Sequence, residues 1–170
     1  LDAEARKRGN SVYLPDRVVP MLPEALSNDL CSLRPNEQRA ATVATITMGE
    51  DGDVTSHSFE RALIRSAARL TYDKVQAWHE GGMTAEELEL DEAILTNLFG
   101  AWDALSRARA AREPLALNLK DRRVVLDDEG APAAIVQSEQ SESQRLIEDY
   151  MIAANVAAAE ALIKAKQPCV

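Results

Sequence analysis

Leu95, Leu98, Trp102 and Leu105 fall on one stripe at three- and four-residue spacing, the pattern of a helix that buries one face. The stripe predicts a helix that opens at Thr84 to Glu87 and runs to about Arg112. Thr84 and Glu87 form a capping box, in which a hydroxyl and a carboxylate satisfy each other's free backbone donors. Arg107, Arg109 and Arg112 close the helix with the charge sign its C-terminus favours. A second box, Ser141 to Gln144, opens a last helix to about Lys166, and Pro168 ends it. Its middle is small (Ala153, Ala154, Ala157, Ala158, Ala159, Ala161), which permits close contact with a neighbour. Shorter helices are predicted over 2–9, stopped by Gly9, and over 70–78, closed by Gly81 and Gly82.

β-Branched residues crowd positions 40–48, Gly49 to Asp53 is turn chemistry, and 54–66 reads as a longer strand. This is a β-hairpin. Ser11 to Leu14 is a short extended run ended by Pro15. Residues 15–37 carry Pro15, Pro20, Pro23 and Pro35; proline has no N–H to donate and restricts its predecessor. That segment predicts a wandering loop with at most one helical turn, near Asn28–Ser32. Strands are expected at 115–119 and 123–126, around a turn at 120–122, and at 133–136 after a turn at 127–130. The order helix, hairpin, helix, helix, strands, helix predicts an α+β fold: an antiparallel β-sheet with packed helices, in one segment over 1–170. No internal repeat is visible.

Composition narrows the function classes. The 170 residues are 46% hydrophobic and 28% charged, which suits a globular core. No apolar run approaches the ~18–20 residues that cross a bilayer. The net charge is −9, opposite in sign to a free-standing nucleic-acid module. Cys31 and Cys169 stand far apart, and His57 and His79 are the histidines. No zinc site or disulfide framework follows, and a reducing cytoplasm is the default location. The chain starts Leu1-Asp2-Ala3-Glu4, in mid-helix and without an initiator Met, as a piece of something longer would.

Candidate chemistry read from residues alone is sparse. There is no Gly-rich phosphate loop, HExxH or nucleophile elbow. Glu50-Asp51-Asp53 and Asp127-Asp128-Glu129 read as solvated turns. Glu148-Asp149 interrupts an otherwise apolar run of Leu146, Ile147, Tyr150, Met151 and Ile152; a carboxylate there lies at the helix edge or faces a site. Tyr13 reads as a core aromatic. Tyr72 and Trp78, six apart on one short helix, read as one rim and one core residue.

Four segments together carry a resemblance. They are 1–15 (LDxEAxxRGxSVYLP), 19–35 (VPMLPExLSNDLCSLxP), 66–75 (SxxRLTYxxV) and 145–155 (RLIEDxMIxAN). Their order and spacing resemble the RNB catalytic domain of the ribonuclease II and ribonuclease R family, with the Gly9-x-Ser-Val-Tyr form favouring the ribonuclease R branch. The resemblance implies the middle part of that domain. It also implies a processive 3′→5′ exoribonuclease that feeds a single-stranded RNA 3′ end into a channel and releases nucleoside 5′-monophosphates. Mg²⁺ is expected from an aspartate cluster that precedes Leu1, and the family's catalytic arginine is expected beyond Val170. No catalytic or metal-binding residue is therefore expected in this chain, and the isolated piece is expected to be inactive.

Four positions carry over as RNA-binding residues. Tyr13 matches the tyrosine that stacks on the 3′-terminal base. Tyr72 and Glu148 match residues near the last riboses that help tell RNA from DNA. Leu119 stands where the family often has an aromatic opposite that tyrosine; leucine packs on a base face but cannot π-stack. The resemblance further implies a monomeric parent in the cytoplasm, with no membrane partner and no DNA. In this family separate domains supply many basic contacts, so the acidic charge does not exclude RNA. A rival reading is a catalytically inactive RNB-like segment that binds RNA or protein; acidic residues just upstream of Leu1 would decide for the enzyme.

Overall fold

The computed structural model describes residues 1–112, 121–138 and 140–169, with backbone alone for Asp121, Arg123 and Ser138. The expected strand at 115–119 and Leu119 lie outside the described residues.

The N-terminal helix α1 spans Asp2–Arg8, acidic at its start and basic at its end. Strands β1 (Val12–Tyr13) and β2 (Val18–Val19) follow, pairing antiparallel as Val12 with Val19 and Tyr13 with Val18. The proline-rich stretch is thus more ordered than a wandering loop. Its helical turn is a π-turn at Ala25–Leu30, earlier than the expected 28–32. Arg8 donates to the Pro20 carbonyl at 2.8 Å and Ser11 Oγ accepts from the Met21 amide at 3.0 Å, so the backbone donors and acceptors that proline leaves idle find side-chain partners.

β3 (Gln38–Met48) and β4 (Val54–Arg65) form the expected hairpin, in register from Gln38 with Arg65 to Thr47 with Ser56; the register then shifts so that Met48 faces Val54. Its turn docks on a helix by way of Gly52. That residue is buried with φ +83, and a Cβ there would lie 2.0 Å from the Ala104 carbonyl oxygen. Only glycine fits both the left-handed backbone and the close approach.

α2 spans Tyr72–His79, with Thr71 as its cap. The Thr84–Glu87 box forms as expected, Glu87 accepting from the Thr84 amide at 2.7 Å. It opens only a 3₁₀ turn, Glu86–Leu88, which Glu89 ends at φ 57. The long helix starts afresh: α3 spans Glu92–Ala111, capped by the Asp91 side chain. β5 (Asp121–Leu126) and β6 (Pro132–Ser138) pair antiparallel, so Asp121 and Arg122 belong to a strand and not to the expected turn. α4 spans Glu142–Lys164 behind a complete Ser141–Gln144 capping box. The class is α+β; among the described residues the strands fall into three separate two-stranded antiparallel ladders, beside one isolated parallel bridge between Pro35 and Ser66.

The core lies among the helices. Val75, Phe99 and Leu146 form one buried cluster, and Ala85, Leu88 and Leu95 another; Leu70 and Trp78 pack against both. The predicted stripe of α3 is buried at Leu95 and Leu105, and Phe99 joins it. His79 stacks on Phe99 with ring centres 4.0 Å apart, and Phe99 meets Trp102 edge to face at 6.0 Å. Trp78, Phe99, Trp102 and Tyr150 thus gather where α2, α3 and α4 meet, and there a few large side chains bury much of the apolar area. No helix among the described residues is long and apolar enough to cross a membrane.

Candidate functional site

The sequence-predicted residues emerge from different elements. Tyr13, on β1, is 79% exposed, which overturns its reading as a core aromatic. A two-residue strand has no second layer to bury it. Tyr72 opens α2 and is 48% exposed, while Trp78 on the same helix packs into the core, the rim-and-core division its spacing predicts. Glu148, on α4, is exposed. None of these three side chains makes a hydrogen bond, ion pair or ring contact among the described residues, and no hydrogen bond joins Tyr13 to the other two.

The start of α4, the helix that carries Glu148, is tied to α2 at Tyr72 and Gln76. Ser143, buried near the start of α4, donates its hydroxyl to the Tyr72 carbonyl at 3.0 Å, and its amide donates to Gln76 Oε1 at 3.0 Å. A groove of about 470 Å³ lies beside this junction, lined by Arg69, Leu70, Tyr72, Leu98, Leu146 and Ile147. The side of α4 that bears Glu148 also exposes Met151 and Asn155, one and two turns on.

Asp149 behaves unlike its neighbour. It is 5% exposed. Trp102 Nε1–H donates to one of its oxygens at 2.9 Å, and Arg109 pairs with the other. The carboxylate pair at 148–149 thus divides into one exposed and one buried group. By sequence alone Trp102 belongs to a core stripe and Arg109 to a charged helix end. Their seven-residue spacing, two turns on one face of α3, is the available signal that they act together.

A second cavity of about 700 Å³ opens between β4, α3 and α4, with His57, Arg109, Asp149 and Glu160 among its lining. His57 Nδ1 and Glu160 approach to 3.6 Å across it. Among the described residues no group of three or more His, Cys, Asp or Glu could hold a metal ion. Cys31 and Cys169 are both exposed free thiols.

Comparison with known proteins gives a consistent picture. The RNB domain model matches residues 1–170. The chain is 39% identical to ribonuclease R of Escherichia coli, over 99% of this chain and 21% of that protein. It is 38% identical to exoribonuclease 2 of Proteus mirabilis, over 95% of this chain and 26% of that one. Among solved structures, Mycoplasma genitalium RNase R in complex with ribose methylated single-stranded RNA superposes with a TM-score of 0.89 at 33% identity, covering 97% of this chain and 26% of that chain. The same protein in complex with double-stranded RNA gives 0.91, covering 98% of this chain and 30% of that one. The chain thus spans about a fifth to a quarter of the length of its curated relatives. A family model that accounts for every residue, with a matching fold, establishes that this chain belongs to the RNB domain family.

Proposed function

We propose that this chain is the central part of the catalytic domain of a processive 3′→5′ exoribonuclease of the ribonuclease R type, in which it receives the 3′ end of single-stranded RNA. Tyr13 stacks on the terminal base, a contact every base can make because every base has a π-face. Tyr72 and Glu148 read the last riboses. An exposed carboxylate is suited to this role because it accepts a hydrogen bond from a 2′-hydroxyl, which DNA lacks. Mg²⁺ and the residues that activate water belong to the parent outside this chain, which acts as a monomer in the cytoplasm.

One observation carries this reading. Tyr13, Tyr72 and Glu148, the family-matched positions among the described residues, are all exposed without a side-chain partner. Asp149, one residue from Glu148, is buried and doubly bonded. A side chain that meets RNA must be accessible, and these three are.

The test is kcat/KM of the full-length protein on two oligoadenylates that differ only in the terminal 2′-hydroxyl. Glu148→Ala should reduce the preference for the ribose end by about ten- to a hundredfold, as expected for one charge-assisted hydrogen bond. The deoxy-ended substrate should be nearly unaffected. An unchanged ratio removes Glu148 from the site.

A further inference from the structure

We propose that Asp149 is a positioning residue: it sets the rotation of α4 about its axis and so the direction in which Glu148 leaves the helix. This rests on the ribose-reading role given to Glu148 above.

The two carboxylate oxygens of Asp149 have separate donors, and both donors stand on α3. Trp102 Nε1–H serves Oδ2 at 2.9 Å, and the Arg109 guanidinium serves Oδ1. One carboxylate thus spans two turns of the facing helix. Consecutive residues of a helix diverge by about 100°. Aiming residue 149 at α3 therefore fixes where residue 148 points. A rotation of α4 that redirects Glu148 must break both bonds.

Apolar packing would not do this as well. The rest of the buried face of α4 is Ser143, Leu146 and Ala157, and apolar contact is non-directional. Charge-assisted hydrogen bonds specify direction. Nor does stability alone explain the group, since a buried ion pair is often no better than an apolar pair of the same size. Tyr150 adds a second fix one residue on, donating its hydroxyl to the Leu98 carbonyl at 2.8 Å. Glu148 is thus followed directly by two residues bonded to α3, while Ser143 ties the start of the same helix to α2 and to the Tyr72 carbonyl.

The experiment uses the full-length protein and the same pair of oligoadenylates. The variants are Asp149→Asn, Arg109→Gln, Glu148→Ala and each of the first two combined with Glu148→Ala. Asp149→Asn keeps the shape and one acceptor but cannot serve both donors as a carboxylate does. Arg109 is partly exposed, so Arg109→Gln gives a second route if Asp149→Asn fails to fold. Each single variant should lower the preference for the ribose end by about threefold or more, through KM more than kcat, and add nothing in the Glu148→Ala background. Equal losses on both substrates, or losses that add fully to Glu148→Ala, overturn the positioning role. If Glu148→Ala abolishes the preference while Asp149→Asn and Arg109→Gln both retain it, the positioning role falls and the ribose reading stands. If Glu148→Ala itself keeps the preference, the ribose reading falls and this proposal with it.

Discussion

The Trp102 indole and the Asp149 carboxylate meet at 2.9 Å from positions 47 residues apart in sequence. Their bond joins α3 to α4 at a part-buried point, where a hydrogen bond to a charged group is worth more than at the surface. Trp102→Phe keeps most of the ring packing and removes the donor. It should lower unfolding stability by about 1–3 kcal/mol, measured by denaturant titration. A variant as stable as the parent chain would mean that Arg109 alone satisfies the carboxylate.

The isolated 170 residues should leave RNA intact. No group of acidic residues suited to a metal ion stands among those described, and without a metal nothing in the proposed chemistry activates water. Labelled oligoadenylate incubated with the purified chain and Mg²⁺ checks this. Stepwise, Mg²⁺-dependent shortening from the 3′ end that survives further purification contradicts it.

Tyr13→Ala in the intact parent should lengthen the limit product while slowing turnover on long RNA only slightly. A stacked base is worth about 1–3 kcal/mol, and short RNAs depend most on that one contact. The readout is the product ladder on a denaturing gel, and an identical ladder counts against Tyr13 as a base platform.

Gly52→Ala should destabilise the chain by about 2–4 kcal/mol, since the substitution meets both a left-handed backbone and the Ala104 carbonyl. Denaturant unfolding measures it. Gly130, also at positive φ but with open space around it, is the control: its alanine variant should lose only about 1 kcal/mol.

Glu87 gives a pH dependence with a definite sign. The backbone hydrogen bond from Thr84, and then the Thr84 hydroxyl, hold its carboxyl below the ordinary 4.5. A depressed folded pKa means the stabilisation is present above the unfolded value and disappears as pH falls through the lower folded one. Glu87→Gln can still accept from the Thr84 amide but without the charge, so the variant should be slightly less stable than the parent chain at neutral pH and converge with it in acid. Thermal melts below pH 4.5 should fall less steeply for the variant, and superimposable acid limbs would count against the box.

The hairpin and the second capping box are legible in the sequence because both are local: β-branched runs around a turn, and a hydroxyl three residues before a glutamine. The start of α3 departs from its expected place for a physical reason. The Thr84 box is real, but Glu89 turns left-handed after a single 3₁₀ turn, and the long helix takes its cap from Asp91. A capping box announces a turn of helix and not its length. The pairing of β1 with β2 rests on two residues a side, too few to leave a pattern. Tyr13, Tyr72 and Glu148 stand out through family motifs, and their exposure fits that assignment without testing it. The burial of Asp149 has no local sign, because its partners come from a helix 40 and 47 residues earlier.

The β3–β4 ribbon is pinned at its turn, where Gly52 sits against α3, and again where His57 meets Glu160 of α4. Eleven residues of β3 at about 3.3 Å each make it roughly 36 Å long. From its open end, at Gln38 and Arg65, the chain runs one way back toward Tyr13 and the other way on to Tyr72. In mechanical terms the ribbon is a lever seated at its turn, and at its other end the Asn36 amide donates to the Ser66 carbonyl at 2.8 Å. A tilt of about 5° at the seat sweeps the open end through about 3 Å at that length, close to the thickness of one stacked base. The glycine that lets the turn seat deeply therefore also limits how far the opposite end of the ribbon can drift.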